Sequence, residues 1–145
     1  MYKHILIPTD GSDLSAAAIR NGMAFAKSIG ARVTALTVTP PFHAITVDPV
    51  MLTDVPEQYE RDSAAAARRY LDTAREVARA AGVAAEFLRV VHDHPHEAIM
   101  EAATKHGCDL IFMASHGRRG VSALLLGSET SKVLTHSKIP VLVFR

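Results

Sequence analysis

Strand-like and helix-like hydrophobic periods alternate along the chain, and the alternation predicts a doubly wound α/β domain. Five short, nearly continuous apolar runs are separated by four segments with helical spacing. Continuous apolar runs suit parallel strands buried on both faces. Glycines at 30, 82 and 107 stop three of the helical segments, as helix ends require. Right-handed crossovers then wind the sheet outward from its first strand in both directions. At 145 residues the chain matches the length of one domain, which is expected to span 1–145.

Each element has its own signal. Ile5, Leu6 and Ile7 form the first strand, ended by Pro8. Leu14, Ala18, Gly22, Phe25 and Ile29 recur at spacings of four, four, three and four, which marks one helix face. Val33, Leu36 and Val38 make the second strand. Residues 39–55 fit neither period, and Pro40, Pro41 and Pro49 break any helix there. After Pro56, Ala67, Leu71, Ala74, Ala78 and Ala81 predict a long helix, with Asp72, Arg75, Glu76 and Arg79 on its solvated face. Phe87, Leu88, Val90 and Val91 give the third strand. Pro95, followed by Glu97, opens a helix carrying Ile99, Ala102 and Ala103. Leu110 to Met113 form the fourth strand, Val133 and Leu134 lie in a last helix, and Pro140 to Phe144 form the fifth strand.

Composition excludes several classes of function. Hydrophobic residues make up 48% and charged residues 21% of the chain, which argues against disorder. Sixteen basic residues against fifteen acidic ones give a net charge of +1. That balance offers no electrostatic case for a nucleic-acid partner. No run reaches the ~18 apolar residues of a membrane span, and Pro8 and Asp10 interrupt the first run before it resembles a secretory signal. A cytoplasmic location is the expectation. Cys108, the single cysteine, reads as a small buried core thiol.

In a doubly wound sheet, ligands bind beyond the carboxyl ends of the strands where the winding direction switches. Two strand-to-helix loops carry suitable chemistry. The first is Pro8-Thr9-Asp10-Gly11-Ser12-Asp13. Asp10 places a carboxylate at a strand end, where ribose hydroxyls or a magnesium ion could meet it. Gly11 permits an unusual backbone angle, and Ser12 or Asp13 can cap the helix. A capped turn with no ligand would look the same. The second runs from Met113-Ala114-Ser115-His116-Gly117-Arg118-Arg119-Gly120 to Leu126-Gly127-Ser128-Glu129-Thr130. Gly127-Ser128 stands where the last helix begins, and free N–H groups with a positive dipole end attract phosphate there. Arg118 and Arg119, between the glycines, could add charge-assisted contacts; a flexible surface loop with solvated arginines is the alternative.

Taken together, these segments resemble the universal stress protein family over essentially the whole chain. The resemblance rests on Pro8-Thr9-Asp10-Gly11-Ser12, Pro95-x-Glu97-Ala98-Ile99, Ser115-His116-Gly117, Gly127-Ser128 and Pro140-Val141-Leu142-Val143. The family's nucleotide-binding branch carries Gly-x2-Gly-x9-Gly-(Ser or Thr). Nine residues separate Gly117 from Gly127-Ser128, so the second and third glycines and the serine match, while Ala114 stands at the first glycine. The resemblance implies a five-stranded parallel sheet in the order 3-2-1-4-5. It implies ATP, with magnesium as a possible companion, as the ligand. Pro8, Thr9 and Asp10 would line the adenosine side, Val38 would meet the adenine, and Met113 and Ala114 would flank the ribose. Gly117, Gly127, Ser128 and the backbone of Glu129 would hold the phosphates. It also implies a homodimer, for which the apolar strand 140–144 at a sheet edge supplies a physical reason.

Three further readings compete. A partner-binding module without nucleotide is the runner-up, because Ala114 departs from the motif. An ATP pyrophosphatase would need more glycines in the first loop, and a phosphoacceptor receiver would need an aspartate where Val90-Val91-His92 closes the third strand. Nor does the chain contain a Gly-x4-Gly-Lys loop, a lysine placed for the terminal phosphates or an evident general base. A binder with little or no ATP turnover, at most a slow ATPase, fits that inventory. His92, His94 and His96 cluster around Pro95, but an exposed loop entering a helix explains them better than a metal site does.

Overall fold

The computed structural model describes residues 1–43, 55–118 and 125–145. Nine elements alternate: β1 (His4–Pro8), α1 (Asp13–Ile29), β2 (Arg32–Thr39), α2 (Val55–Ala81), β3 (Ala85–Val91), α3 (Pro95–Lys105), β4 (Leu110–Ala114), α4 (Ser128–His136) and β5 (Val141–Phe144). The strands form one all-parallel sheet in the order β3-β2-β1-β4-β5. That order and the doubly wound class agree with the sequence reading. Most of the prolyl connection at 39–55 lies outside the described residues, as do Arg119 and Gly120.

The pleat sorts the strand residues onto two faces. Ile5, Ile7, Val33, Ala35, Leu110 and Phe112 pack with Ala18, Ile19 and Met23 of α1 and Leu71, Ala74 and Ala78 of α2. Leu6, Leu36, Ile111 and Met113 turn to the other face, against Ile99, Ala102 and Ala103 of α3 and Val133 of α4. Ile5, Leu6, Ile7 and Leu36 are fully buried, and each such side chain contributes roughly 1.5–3 kcal/mol of transfer free energy. Cys108 is buried as expected, and burial pushes its thiol up to about 11, which leaves it protonated and unreactive at neutral pH.

One face was misread from the sequence. The predicted stripe of α1 ran through Leu14, Ala18, Gly22, Phe25 and Ile29. The buried stripe keeps Ala18 and Gly22 but turns to Ser15, Ile19, Met23 and Ala26, while Leu14 and Phe25 are partly buried and Ile29 is exposed. Close approach decided it. A Cβ on Gly22 would stand 3.2 Å from Phe112 Cδ1, so the helix approaches the sheet closely at Gly22, with Ile19 and Met23 buried on the same face.

The amino end of the sheet has its own polar fastening. Asp109 accepts the N–H groups of Lys3 and His4 at 3.0 Å each, joining the start of β4 to the start of β1. Beside it His4 is buried, with Nε2 2.7 Å from Thr34 Oγ1. Its Nδ1 has no hydrogen-bond partner among the described residues. Burial, then the Arg32 cation, hold the His4 pKa below the ordinary histidine value. The folded state therefore resists the proton that the unfolded state accepts below ~6.5. Stability is fully present above that value and declines as pH falls from it toward the lowered folded value. Denaturant titrations at about pH 7.5 and about pH 5.5 should show a smaller decline for His4→Gln than for wild type; equal declines would remove His4 as the cause.

Candidate functional site

Because every strand is parallel and β1 lies between β2 and β4, the loops leaving β1 and β4 emerge side by side. The first loop is built around Asp10. Its Oδ1 accepts the Ser12 N–H at 3.0 Å, closing an Asx turn, and Ser12 Oγ accepts the Ser15 N–H at 3.2 Å to cap α1. Gly11 follows at φ +78°, where any side chain is strained, and a Cβ there would collide with the Tyr70 ring of α2. Thr9 is buried. Its N–H donates to the Leu36 carbonyl at 2.8 Å, and its carbonyl accepts the Thr37 hydroxyl at 2.6 Å.

The second loop meets the first at the same carboxylate. Asp10 Oδ2 accepts the Arg118 N–H at 3.0 Å. A Cβ on Gly117 would fall on that oxygen, so glycine is what lets the two loops close. The Arg118 guanidinium lies over the Tyr70 ring at 5.0 Å from its centroid and donates to the Tyr70 hydroxyl. Burial pushes the Asp10 pKa up, but the hydrogen bonds from Ser12, the Arg118 backbone and Ser15 outweigh it. The carboxyl stays below its ordinary value and is an anion at neutral pH.

The start of α4 docks onto the end of β4. The Gly127 N–H donates to the Ser115 carbonyl at 2.7 Å, and the Thr130 hydroxyl donates to the Ala114 carbonyl at 2.9 Å. A Cβ on Gly127 would stand 3.1 Å from His116 Cα and 3.3 Å from Ser115 O. The cap residue Gly127 has no side chain to bond this helix start, and the first N–H groups of a helix so capped suit an anion. Ser128 is exposed beside them. Ala114 sits in the extended strand, paired with Phe144, a conformation that alanine adopts without strain.

These observations bring Pro8, Asp10, Gly117, Gly127 and Ser128 to one end of β1 and β4. Val38, partly exposed, lies one residue before the end of the neighbouring β2. Met113 is buried in the α3–α4 face, and Ala114 turns to the opposite face. The Glu129 side chain leaves the loop altogether and binds His96.

A model of the universal stress protein family matches residues 1–145. The chain belongs to that family. It is 31% identical over its whole length to the universal stress protein MJ0531 of Methanocaldococcus jannaschii, covering 83% of it. It is likewise 31% identical to a Thermus aquaticus universal stress protein, with both chains covered completely. The structure of MJ0577, also from M. jannaschii, superposes with a TM-score of 0.84 at 29% identity, covering 99% of this chain and 95% of that one. A universal stress protein solved in complex with cAMP gives a TM-score of 0.73 at 26% identity, with 99% and 97% covered.

In this universal stress protein, sequence reasoning missed Tyr70, Thr130 and the partnership of His96 with Glu129; it marked Arg118 for charge-assisted contacts to a ligand, and not as the partner of Asp10 and Tyr70. Thr130 alone had a usable signal, a hydroxyl in the first turn of a helix that must dock on a strand. The three histidines around Pro95 do not converge. Ring centroids of His92, His94 and His96 lie 6.1 and 6.0 Å apart in sequence. Among the described residues, no group of three or more His, Cys, Asp or Glu is placed to hold a metal ion. Replacing Gly11 with alanine should cost ~1 kcal/mol for its backbone angle plus a further penalty from the Tyr70 ring. In a Tyr70→Ala background only the backbone part should remain, so equal costs in both backgrounds, read by denaturation, would rule out the contact.

Proposed function

We propose that this universal stress protein binds an adenine nucleotide, ATP in particular, across the ends of β1 and β4, with little or no turnover. The carrying observation is the pairing of an uncapped α4 start, cradled at Gly127, with an anionic Asp10 on the adjoining loop. The first suits phosphate and the second suits ribose hydroxyls. A carboxylate has about four acceptor sites, so Asp10 can keep both of its N–H bonds and still accept from a sugar. The relative solved with cAMP supports the same ligand class.

In this reading Pro8, Thr9 and Asp10 form the adenosine side, and Val38 contacts the base. Met113 and Ala114 shape the floor under the ribose. The N–H groups of Ser128 and Glu129, opened by Gly117 and Gly127, hold the phosphates. Magnesium would be carried chiefly by the phosphates and water, as its octahedral preference favours; Asp10 is the carboxylate beside it. With no lysine placed for the terminal phosphate, transition-state charge would go unstabilised, and turnover should stay well below the ~1–100 s⁻¹ of kinases. The whole chain, 1–145, acts as one domain and works in the cytoplasm; among the described residues no helix is long and apolar enough to cross a membrane.

Calorimetry should show ATP binding that Gly127→Val abolishes, since a branched side chain would push into the His116 backbone and the phosphate space. Ser128→Asp, an exposed change that adds an anion at the helix start, should weaken ATP severalfold while leaving thermal unfolding intact. Full affinity in both folded variants would sink the site.

The assembly proposed is a two-fold homodimer through β5. The sheet order leaves β5 at an edge, all four of its residues are partly exposed, and Leu134 of α4 is 42% exposed. An apolar parallel edge of this kind pairs readily with a second copy. Light scattering should find dimers for wild type and monomers for Val141→Lys with Val143→Lys. A monomeric wild type, or a dimeric double variant, would place the interface elsewhere.

A further inference from the structure

Glu129 occupies the first turn of α4, where a carboxylate is drawn toward free N–H groups by the helix dipole. Here the Glu129 carboxylate is engaged elsewhere. Its Oε2 accepts two bonds from a different helix, the His96 N–H at 2.8 Å and His96 Nδ1 at 2.9 Å. The His96 side chain is 13% exposed and that of Glu129 35%, so this contact is partly sheltered from water. The start of α3 needs such an acceptor, because its cap residue His94 makes no side-chain capping bond. The carboxylate that could block α4 is spent on capping α3.

We propose that His96 and Glu129 are a positioning pair that sets how well the α4 start accepts a ligand's second and third phosphates. The proposal rests on the adenine-nucleotide reading above. His96 turns the carboxylate away from the phosphate-binding N–H groups and supplies hydrogen-bond donors to its charge. Among the described residues, the other charged groups around the pair are few. Lys132 Nζ lies 3.3 Å from Glu129 Oε1, and Glu97 Oε1 lies 3.9 Å from His96 Nε2. His92 stands 3.9 Å from both Glu97 and Glu101, and the His94 ring is 6.0 Å from His96. Burial pushes the Glu129 pKa up, but the bonds from His96 and Lys132 outweigh it, so the group stays an anion at neutral pH. Freed from His96, that anion would swing back to the α4 start and compete with phosphate. A ligand with one phosphate would lose little and one with three would lose more.

The test measures Kd for AMP and for Mg-ATP by calorimetry on four full-length proteins: wild type, His96→Ala, Glu129→Gln and the double variant. His96→Ala should lower the ATP preference over AMP by roughly two- to fivefold, the scale of one charge at a helix start. Adding Glu129→Gln should restore that preference, because the competing charge is then gone although the α3 cap is still disrupted. Glu129→Gln alone, which removes the competing anion, should raise the preference above that of wild type, and it keeps the test alive if His96→Ala does not fold. An unchanged preference in His96→Ala, or a loss that Glu129→Gln does not rescue, would overturn the pair's role. An unchanged or lowered preference in the single Glu129→Gln protein would also overturn it. A wild type that binds neither nucleotide would instead overturn the reading on which the pair depends.

Discussion

The structure depends first on the parallel pairing of β1 with both β2 and β4. Parallel strands need crossovers, and right-handed crossovers send α1 and α2 to one face of the sheet and α3 and α4 to the other. With all five strands running the same way, every strand-to-helix loop opens at one edge. The loops after β1 and β4 are more than a hundred residues apart in sequence, as the bond between Asp10 and Arg118 spans 108 positions. Only the central place of β1 makes them neighbours. The fully buried Ile5, Leu6 and Ile7 hold that place, since each would expose a large apolar side chain if β1 slipped toward an edge.

Once the loops are adjacent, electrostatics and sterics shape the space between them. Asp10 closes its own turn with one oxygen and gathers the second loop with the other. Gly117 and Gly127 remove the side chains that would stand in the way. Thr130 and the Gly127 N–H then fasten α4 to the end of β4, so the helix start keeps a fixed distance from the carboxylate. The result is a negative group and a positive helix end set side by side on rigid supports. Such a pairing suits a ligand that is itself divided into a hydroxyl-bearing half and an anionic half.

The opposite end of the sheet is organised by different means. There Asp109 caps two N–H groups of the first strand, while His4 is held neutral by burial. This end fastens the sheet, and the other end gathers the two polar loops. The separation follows from the fold: amino ends of parallel strands receive chain from helix carboxyl ends, whose dipoles repel anions, while strand carboxyl ends lead into helix starts that attract them.

Much of this was legible in the residue order. Apolar runs and helical spacings suffice for nine elements and their class, because burial on two faces demands continuous strands and amphipathic helices. The Gly117 to Gly127-Ser128 spacing picked out the second loop, and Pro8 to Ser12 the first. Side-chain partners across elements were not legible, because spacing carries no information about what a neighbouring helix presents. The face of α1 was half legible for that reason: Ala18 and Gly22 were placed on it, but its turn toward Ile19, Met23 and Ala26 is set by Phe112 and Ile7, which lie elsewhere in the chain. The residues themselves determined that this protein would be a parallel α/β domain with two polar loops at strand ends. Tertiary structure alone decided that Tyr70 would close over Gly11, that Arg118 would reach Asp10, and that His96 would draw Glu129 away from its own helix, since each contact exists only where separate elements pack together.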